Sequence, residues 1–290
     1  MKAKIVLLNA ALAAVTVVST HFITISSAQQ GTAPAKPAAN VDYQLGGTLY
    51  MQKAAEYRAL AYQAYNIAHW RLDADMDKKN VKKLPKAERK KPRAIMVDID
   101  ETVLDNSPAQ AFNIVNHLPF DLNQWYRWGE MRKAKPIPGA VEFLNYATSK
   151  GVKVFYVSNR DREPQLRATI DNLKSAGFHD ISTENVMLRE KGPDGKLISA
   201  KDPRRDIIRK KYRIVFFIGD NLDDHSSVFE HRSIAERFAE VDKAKGLFGK
   251  RYIMLPNAMY GTWENAIYGY NGKLTEAEKE QMRLNALELP

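Results

Sequence analysis

The chain has 290 residues, 44% hydrophobic and 27% charged, enough for one full α/β domain with a sizeable core and a small appended unit; this composition argues against general disorder. It contains no cysteine, which excludes disulfides, thiolate metal sites and lipid attachment through an N-terminal cysteine. Its net charge of +10 and pI of about 9.5 favour anionic partners through long-range attraction.

In chain order, Met1-Lys2-Ala3-Lys4 is a short basic start, and a run without acidic or basic residues follows from Ile5 to about Ile25. Ser26-Ser27-Ala28 then places small residues where a signal peptidase reads, so residues 1–28 read as a signal peptide cleaved after Ala28. The protein is then expected to be periplasmic or secreted. A retained anchor is the alternative, because the run is about long enough to span a bilayer. Residues 29–44 read as a linker, Ala- and Pro-rich from Thr32 to Asn40. From about Leu49 to Leu72, Ala54, Tyr57, Ala61, Ala64, Ala68 and Leu72 recur at three- and four-residue steps and predict one helix. The run Lys78 to Arg93 is densely basic without interleaved aromatics. It reads as an exposed connector, not a nucleic-acid groove.

The first β signal, Ala94-Ile95-Met96-Val97, runs straight into Asp98. Further strands are expected at Val152–Val157, Asn185–Leu188, Ile214–Ile218 and Tyr252–Leu255, with helices near Glu163–Ala176, Pro203–Lys211 and Ser233–Lys243. Short apolar runs alternating with helices indicate a parallel sheet covered on both faces, and such sheets bind ligands beyond the carboxyl ends of their strands. Four stations fall on that edge: Asp98-Ile99-Asp100-Glu101-Thr102, Ser158-Asn159-Arg160, the helix opening at Lys201 with Arg204 and Arg205, and Gly219-Asp220-Asn221-Leu222-Asp223-Asp224.

Carboxylates repel a dianionic phosphate monoester, so several at one site make sense only with a bound cation. Oxygen ligands suit a hard ion such as Mg²⁺. Asp98 is then placed to attack phosphorus. Asp100, two residues on and on the same side of an extended backbone, is placed to protonate the leaving alkoxide. Ser158 and Asn159 supply hydrogen-bond donors, and Lys201 supplies a balancing cation. Glu101 and Asp105 read equally well as helix caps, and Ser158 and Asn159 could cap the helix that follows.

The run Asp98 to Thr102 resembles the first motif of haloacid-dehalogenase (HAD)-like phosphatases. Asp98 to Ser107 is similar to the class C acid phosphatases within that superfamily. The other three stations resemble the second, third and fourth motifs, in order, over roughly residues 45–270. The resemblance implies a HAD-like Rossmannoid α/β core with a smaller, mainly helical unit, drawn from residues 45–78 and 108–135, and a helical tail over 271–290. It implies Asp98 as nucleophile and Asp100 as general acid and base. It implies one Mg²⁺ per site, held by Asp98, the Asp100 carbonyl and Asp220, with Asp224 beside it orienting the metal site or Lys201. Trp125 and Tyr260 match the family's nucleobase platforms by position. The expected partner is a small phosphomonoester, a nucleoside 5′-monophosphate above all. No nucleic-acid polymer is expected, no membrane after leader removal, and a homo-oligomer is permitted. His225 departs from the family, which commonly has an aromatic residue there, and this puts local packing in question. A dehalogenase has no need of Asp100, and export counts against a phosphomutase. A non-catalytic anion-binding protein has no use for carboxylates beside its ligand.

Overall fold

The computed structural model describes residues 41–290; the signal-peptide reading and residues 29–40 of the linker lie outside them. Among the described residues there are seven strands: β1 (Arg93–Val97), β2 (Leu104–Asp105), β3 (Lys135–Pro136), β4 (Lys153–Asp161), β5 (Val186–Arg189), β6 (Arg213–Gly219) and β7 (Tyr252–Met254). Five of them form a sheet in the order β5-β4-β1-β6-β7, with every neighbouring pair parallel. The continuous apolar run of β1 is explained by burial on both faces. Ile95 and Val97 pack with Ala61, Ala64 and Leu72 of the helix Ala55–Met76 and with Phe143 and Leu144 of the helix Ala140–Ser149. Ala94 and Met96 point the other way, into a cluster with Ile208 of the helix Asp202–Lys211.

Several expectations need correction. The single helix over 49–72 is two, Leu45–Lys53 and Ala55–Met76, broken where Ala54 is extended (ψ 126°). One extended residue leaves the three-residue step from Ala54 to Tyr57 intact, so periodicity does not register the break. The first helix turns aside to lie on the loop at residues 256–261, and it does so through Gly47. A Cβ there would meet the Ala258 carbonyl oxygen at 2.1 Å. The last four linker residues belong to the fold. Val41 is buried, the Tyr43 hydroxyl donates to Glu264 at 2.8 Å, and Gln44 donates to the Met259 carbonyl at 3.2 Å. The basic connector holds two short helices, Lys78–Val81 and Lys86–Lys90, with no buried residue. The helix Ala140–Ser149 was not anticipated, nor was the antiparallel β2–β3 pair.

That small pair has a positioning role. Its strands are the two ends of the segment carrying the helices Ser107–Val115 and Leu122–Met131. Both helices therefore spring from a stem seven residues beyond Val97, at the carboxyl edge of the sheet. The tail carries the helix Glu276–Asn285, opened by a Thr275–Glu278 capping box.

At the opposite edge, the strand starts are tied to the end of the long helix. Asp75 accepts from Arg93 at 2.7 Å and, through both oxygens, from Arg213 at 2.8 and 2.6 Å. Burial works to raise the Asp75 carboxyl, but hydrogen bonds and charge from Arg213 and Arg93 outweigh it and hold it below 3.8. A depressed carboxyl contributes stability that is present above its unfolded value and lost as pH falls through its folded one. Asp75→Asn is expected to lower unfolding free energy by about 3 kcal/mol at pH 7. Urea melts should show this deficit shrinking below about pH 4.

Candidate active site

Asp98 follows the last residue of β1, its amide donating to the Ile218 carbonyl of β6 at 2.9 Å. It is 8% exposed. The chain then turns back on itself. Leu104 and Val103 donate to the Ile99 carbonyl at 2.9 Å, and Glu101 takes the left-handed conformation (φ 57°). The Glu101 carboxyl is fully buried and accepts the Asn106 amide at 2.7 Å, while Asp105 accepts the Ser107 amide at 2.8 Å. Both carboxylates thus cap the start of the helix Ser107–Val115, the capping alternative among their two readings.

Lys201 precedes the helix Asp202–Lys211 and is 4% exposed. Its ammonium donates to Asp98 and, at 2.6 Å, to Asp224. Burial opposes the charge on Lys201, but Asp224 and Asp98 outweigh it and raise its pKa, so it is a cation at every working pH. Asp224 reaches this position because Gly219 has no side chain. A Cβ on Gly219 would lie 2.4 Å from the Cβ and Oδ2 of Asp224. That same Oδ2 accepts the Asn221 backbone amide at 2.9 Å, while Oδ1 takes the Lys201 bond. Asp220 is fixed by the Thr102 hydroxyl and the Asn257 amide, each at 2.9 Å. Asp223 turns away from this cluster, toward Arg237 at 3.6 Å.

Asp100 faces a different set of partners. Its oxygens accept from Arg160 at 2.9 and 2.7 Å, from Asn106 at 2.8 Å and from Ser158 at 3.1 Å. Trp128 in turn donates its ring N–H to Asn106 at 2.8 Å. Ser158 and Asn159 lie within β4 itself, since pairing to β5 continues to Asp161 and Arg189. They do not cap the following helix, whose preceding residue is Asp161. The Asn159 carbonyl oxygen accepts from Arg204 at 2.7 Å, and Arg204 also donates to the Ser158 backbone carbonyl at 2.6 Å. Arg160, Asn106, Arg204, Thr102 and Asn257 received no role from sequence. Arg160 and Arg204 stood inside the quoted motifs, but nothing in the motifs shows which carboxylate or amide each would hold.

A cavity of about 500 Å³ opens above these groups. Asp98, Asp100, Ser158, Asn159, Lys201, Asp220 and Asp224 all line it, and so do Trp125 and Tyr260. The nine residues given catalytic, binding or metal roles from sequence therefore line one cavity. Trp125 lies on the helix Leu122–Met131 with the Arg160 guanidinium 5.5 Å from its ring centre. Tyr260 stands on the loop supported by Gln44 and Gly47. His225 is buried, with its ring 5.2 Å from that of Tyr252 and its Nε2 2.7 Å from the Met254 sulfur; burial lowers its pKa to about 4, leaving it neutral.

Among the described residues, Asp98, Asp220 and Asp224 each bring one carboxylate oxygen within 4.8 Å of the others. Burial pushes Asp98 well up, Lys201 opposes the rise, and Asp224, Asp220 and Asp100 add to it. Burial and Asp224 push Asp220 up to about 7. One lysine does not balance this many buried carboxylates, and the donors are all hard oxygens. The cluster fits a divalent cation of the Mg²⁺ class.

Residues 5–263 match the family model described as HAD superfamily, subfamily IIIB (acid phosphatase). The class C acid phosphatase of Bacillus anthracis, solved with tungstate bound, superposes with a TM-score of 0.77 at 38% sequence identity, covering 86% of this chain and 98% of that one. Acid phosphatase 1 of Solanum lycopersicum is 30% identical over 129 residues, 44% of this chain and 49% of that protein. The stem 31 kDa glycoprotein of Glycine max is 28% identical over 164 residues, 56% of this chain and 57% of that protein. The chain thus spans about half the length of these two curated relatives.

The cation between Asp98 and Asp224 has a measurable consequence. A carboxyl raised above its unfolded value keeps a proton that the unfolded chain gives up, so stability falls as pH rises from about 3.8 through the folded value. Removing Lys201 extends that loss. In chelator, Lys201→Met is expected to cost about 3 kcal/mol at pH 8 and clearly less at pH 5, read from urea unfolding at the two pH values.

Proposed function

Because this chain belongs to the acid phosphatases of HAD superfamily subfamily IIIB, we propose that it is an exported, Mg²⁺-dependent hydrolase of phosphate monoesters working through an aspartyl-phosphate on Asp98. Nucleoside 5′-monophosphates are the proposed substrates. The observation that carries this reading is the placement of Asp98 at a buried strand end, against the Lys201 ammonium and within one cavity with Asp100 and Asp220. The tungstate held by the Bacillus anthracis relative, an oxyanion, supports it.

In the first half-reaction the Asp98 carboxylate attacks phosphorus, and the bond from phosphorus to the ester oxygen breaks. Asp100 gives that oxygen a proton, so the alcohol leaves neutral. In the second, water attacks the phosphorus of the aspartyl-phosphate and Asp100 takes its proton. Phosphate then leaves and the Asp98 carboxylate is restored. Lys201 holds Asp98 in place and offsets charge gathering on the phosphoryl group. Arg204 holds the Asn159 carbonyl oxygen, which leaves the amide hydrogens of Asn159 for the phosphate. Arg160, Ser158 and Asn106 fix the direction in which Asp100 approaches the leaving oxygen. Asp98, Asp220 and the Asp100 carbonyl, with Asp224 alongside, would hold Mg²⁺, which would supply neutralising charge to the phosphoryl oxygens. Trp125 and Tyr260 line the same cavity and offer faces to a base.

The test is phosphate release from a nucleoside 5′-monophosphate at about pH 5–6, with Mg²⁺ and then with chelator. Wild type is expected to turn over only with the metal. Asp98→Asn should lose at least about a thousandfold in kcat with an unchanged circular-dichroism spectrum. Near wild-type activity in that variant would remove Asp98 as nucleophile. Asp220→Asn should shift the Mg²⁺ titration midpoint upward by about 10- to 100-fold. An unmoved midpoint would take Asp220 out of the metal site.

A further inference from the structure

A second cavity, of about 440 Å³, lies between the helices Ser107–Val115 and Leu122–Met131. Phe112, Phe120, Trp125, Trp128 and Met131 make up much of its wall. The only polar atom of the Trp128 ring is already engaged by Asn106. Phe112, Phe120 and Met131 are 56%, 70% and 51% exposed. Such a concentration of exposed apolar side chains marks a surface that binds something.

Its position identifies the occupant. Ala109, Asn113, Phe120 and Trp125 line this cavity and the one above Asp98, so the two adjoin across the same residues. Arg160 grips Asp100 and lies over the Trp125 ring. A group released from the oxygen that Asp100 protonates therefore departs toward Trp125, with the apolar cavity beyond it. From this we infer that the cavity is a leaving-group subsite for alkyl chains, which makes single-chain alkyl phosphates substrates of the same centre. The inference rests on the phosphomonoesterase reading above.

The experiment compares kcat/KM for ethyl, butyl and octyl phosphate, below micellar concentrations, in wild type and in a Phe112→Gln/Met131→Gln variant. Both residues lie outside the cavity above Asp98. Burial of the added methylenes is expected to raise kcat/KM at least about tenfold from ethyl to octyl in wild type. The variant should keep ethyl phosphate turnover and lose most of that rise. A flat series in wild type, with ethyl phosphate still hydrolysed, overturns the subsite and leaves the phosphatase reading standing. A flat series together with dissociation of a dimer in the variant, seen by sedimentation, assigns the surface to a second copy of the chain instead. Absence of turnover on every ester, nucleotide included, removes the phosphatase reading and the subsite with it.

Discussion

A protonated lysine buried among carboxylates is the constraint on which the rest of the site turns. Lys201 holds Asp98 and Asp224 at once, in a place where water contributes almost nothing to solvating either charge. Any carboxylate brought to such a place without a partner takes up a proton and ceases to be a nucleophile or a ligand. The ammonium opposes that uptake at Asp98 without cancelling it. The surplus of negative charge that remains is what makes the cluster receptive to a divalent ion. Attraction and repulsion are thus set against each other within a few ångströms.

Holding that balance requires rigid support from distant parts of the chain. Asp224 packs directly over Gly219, so its approach depends on one missing side chain. Asp220 is oriented by Thr102 from the turn after β1 and by Asn257 from the loop after β7. That loop is braced in turn by Gln44 and the helix containing Gly47. The N-terminal helix therefore supports the Asp220 end of the site through that loop. The Asp75 clasp at the far edge of the sheet keeps β1 and β6 aligned, and these two strands deliver Asp98 and Asp220.

Much of this could be read from the sequence, for identifiable reasons. Strands buried on both faces leave unbroken apolar runs, and the polar residues where such runs end mark the functional edge. This is why Asp98, Ser158 and Asp220 stood out. The second station differed in one respect: β4 continues through Ser158-Asn159-Arg160, because polar residues that pair with a neighbouring strand look like the end of one. The break at Ala54 and the two-residue strands β2 and β3 fall below the length that periodicity resolves. The supporting partners were hidden for a further reason. Arg160 meets Asp100 from 60 residues away and Asn257 meets Asp220 from 37. Spacing along a chain carries no trace of such pairings.

The β2–β3 stem has a bearing on how this molecule can diversify. Two residues on each side are hydrogen-bonded to one another, and everything between them forms a cassette whose ends meet. A segment closed in this way can be lengthened, shortened or rewritten without transmitting a shift in register to the sheet. Trp125, Trp128 and the apolar wall sit inside the cassette, while Asp98, Lys201 and Asp220 sit outside it. The apolar wall can thus be rewritten apart from Asp98, Lys201 and Asp220, while Asn106, at the start of the cassette, still ties it to Asp100.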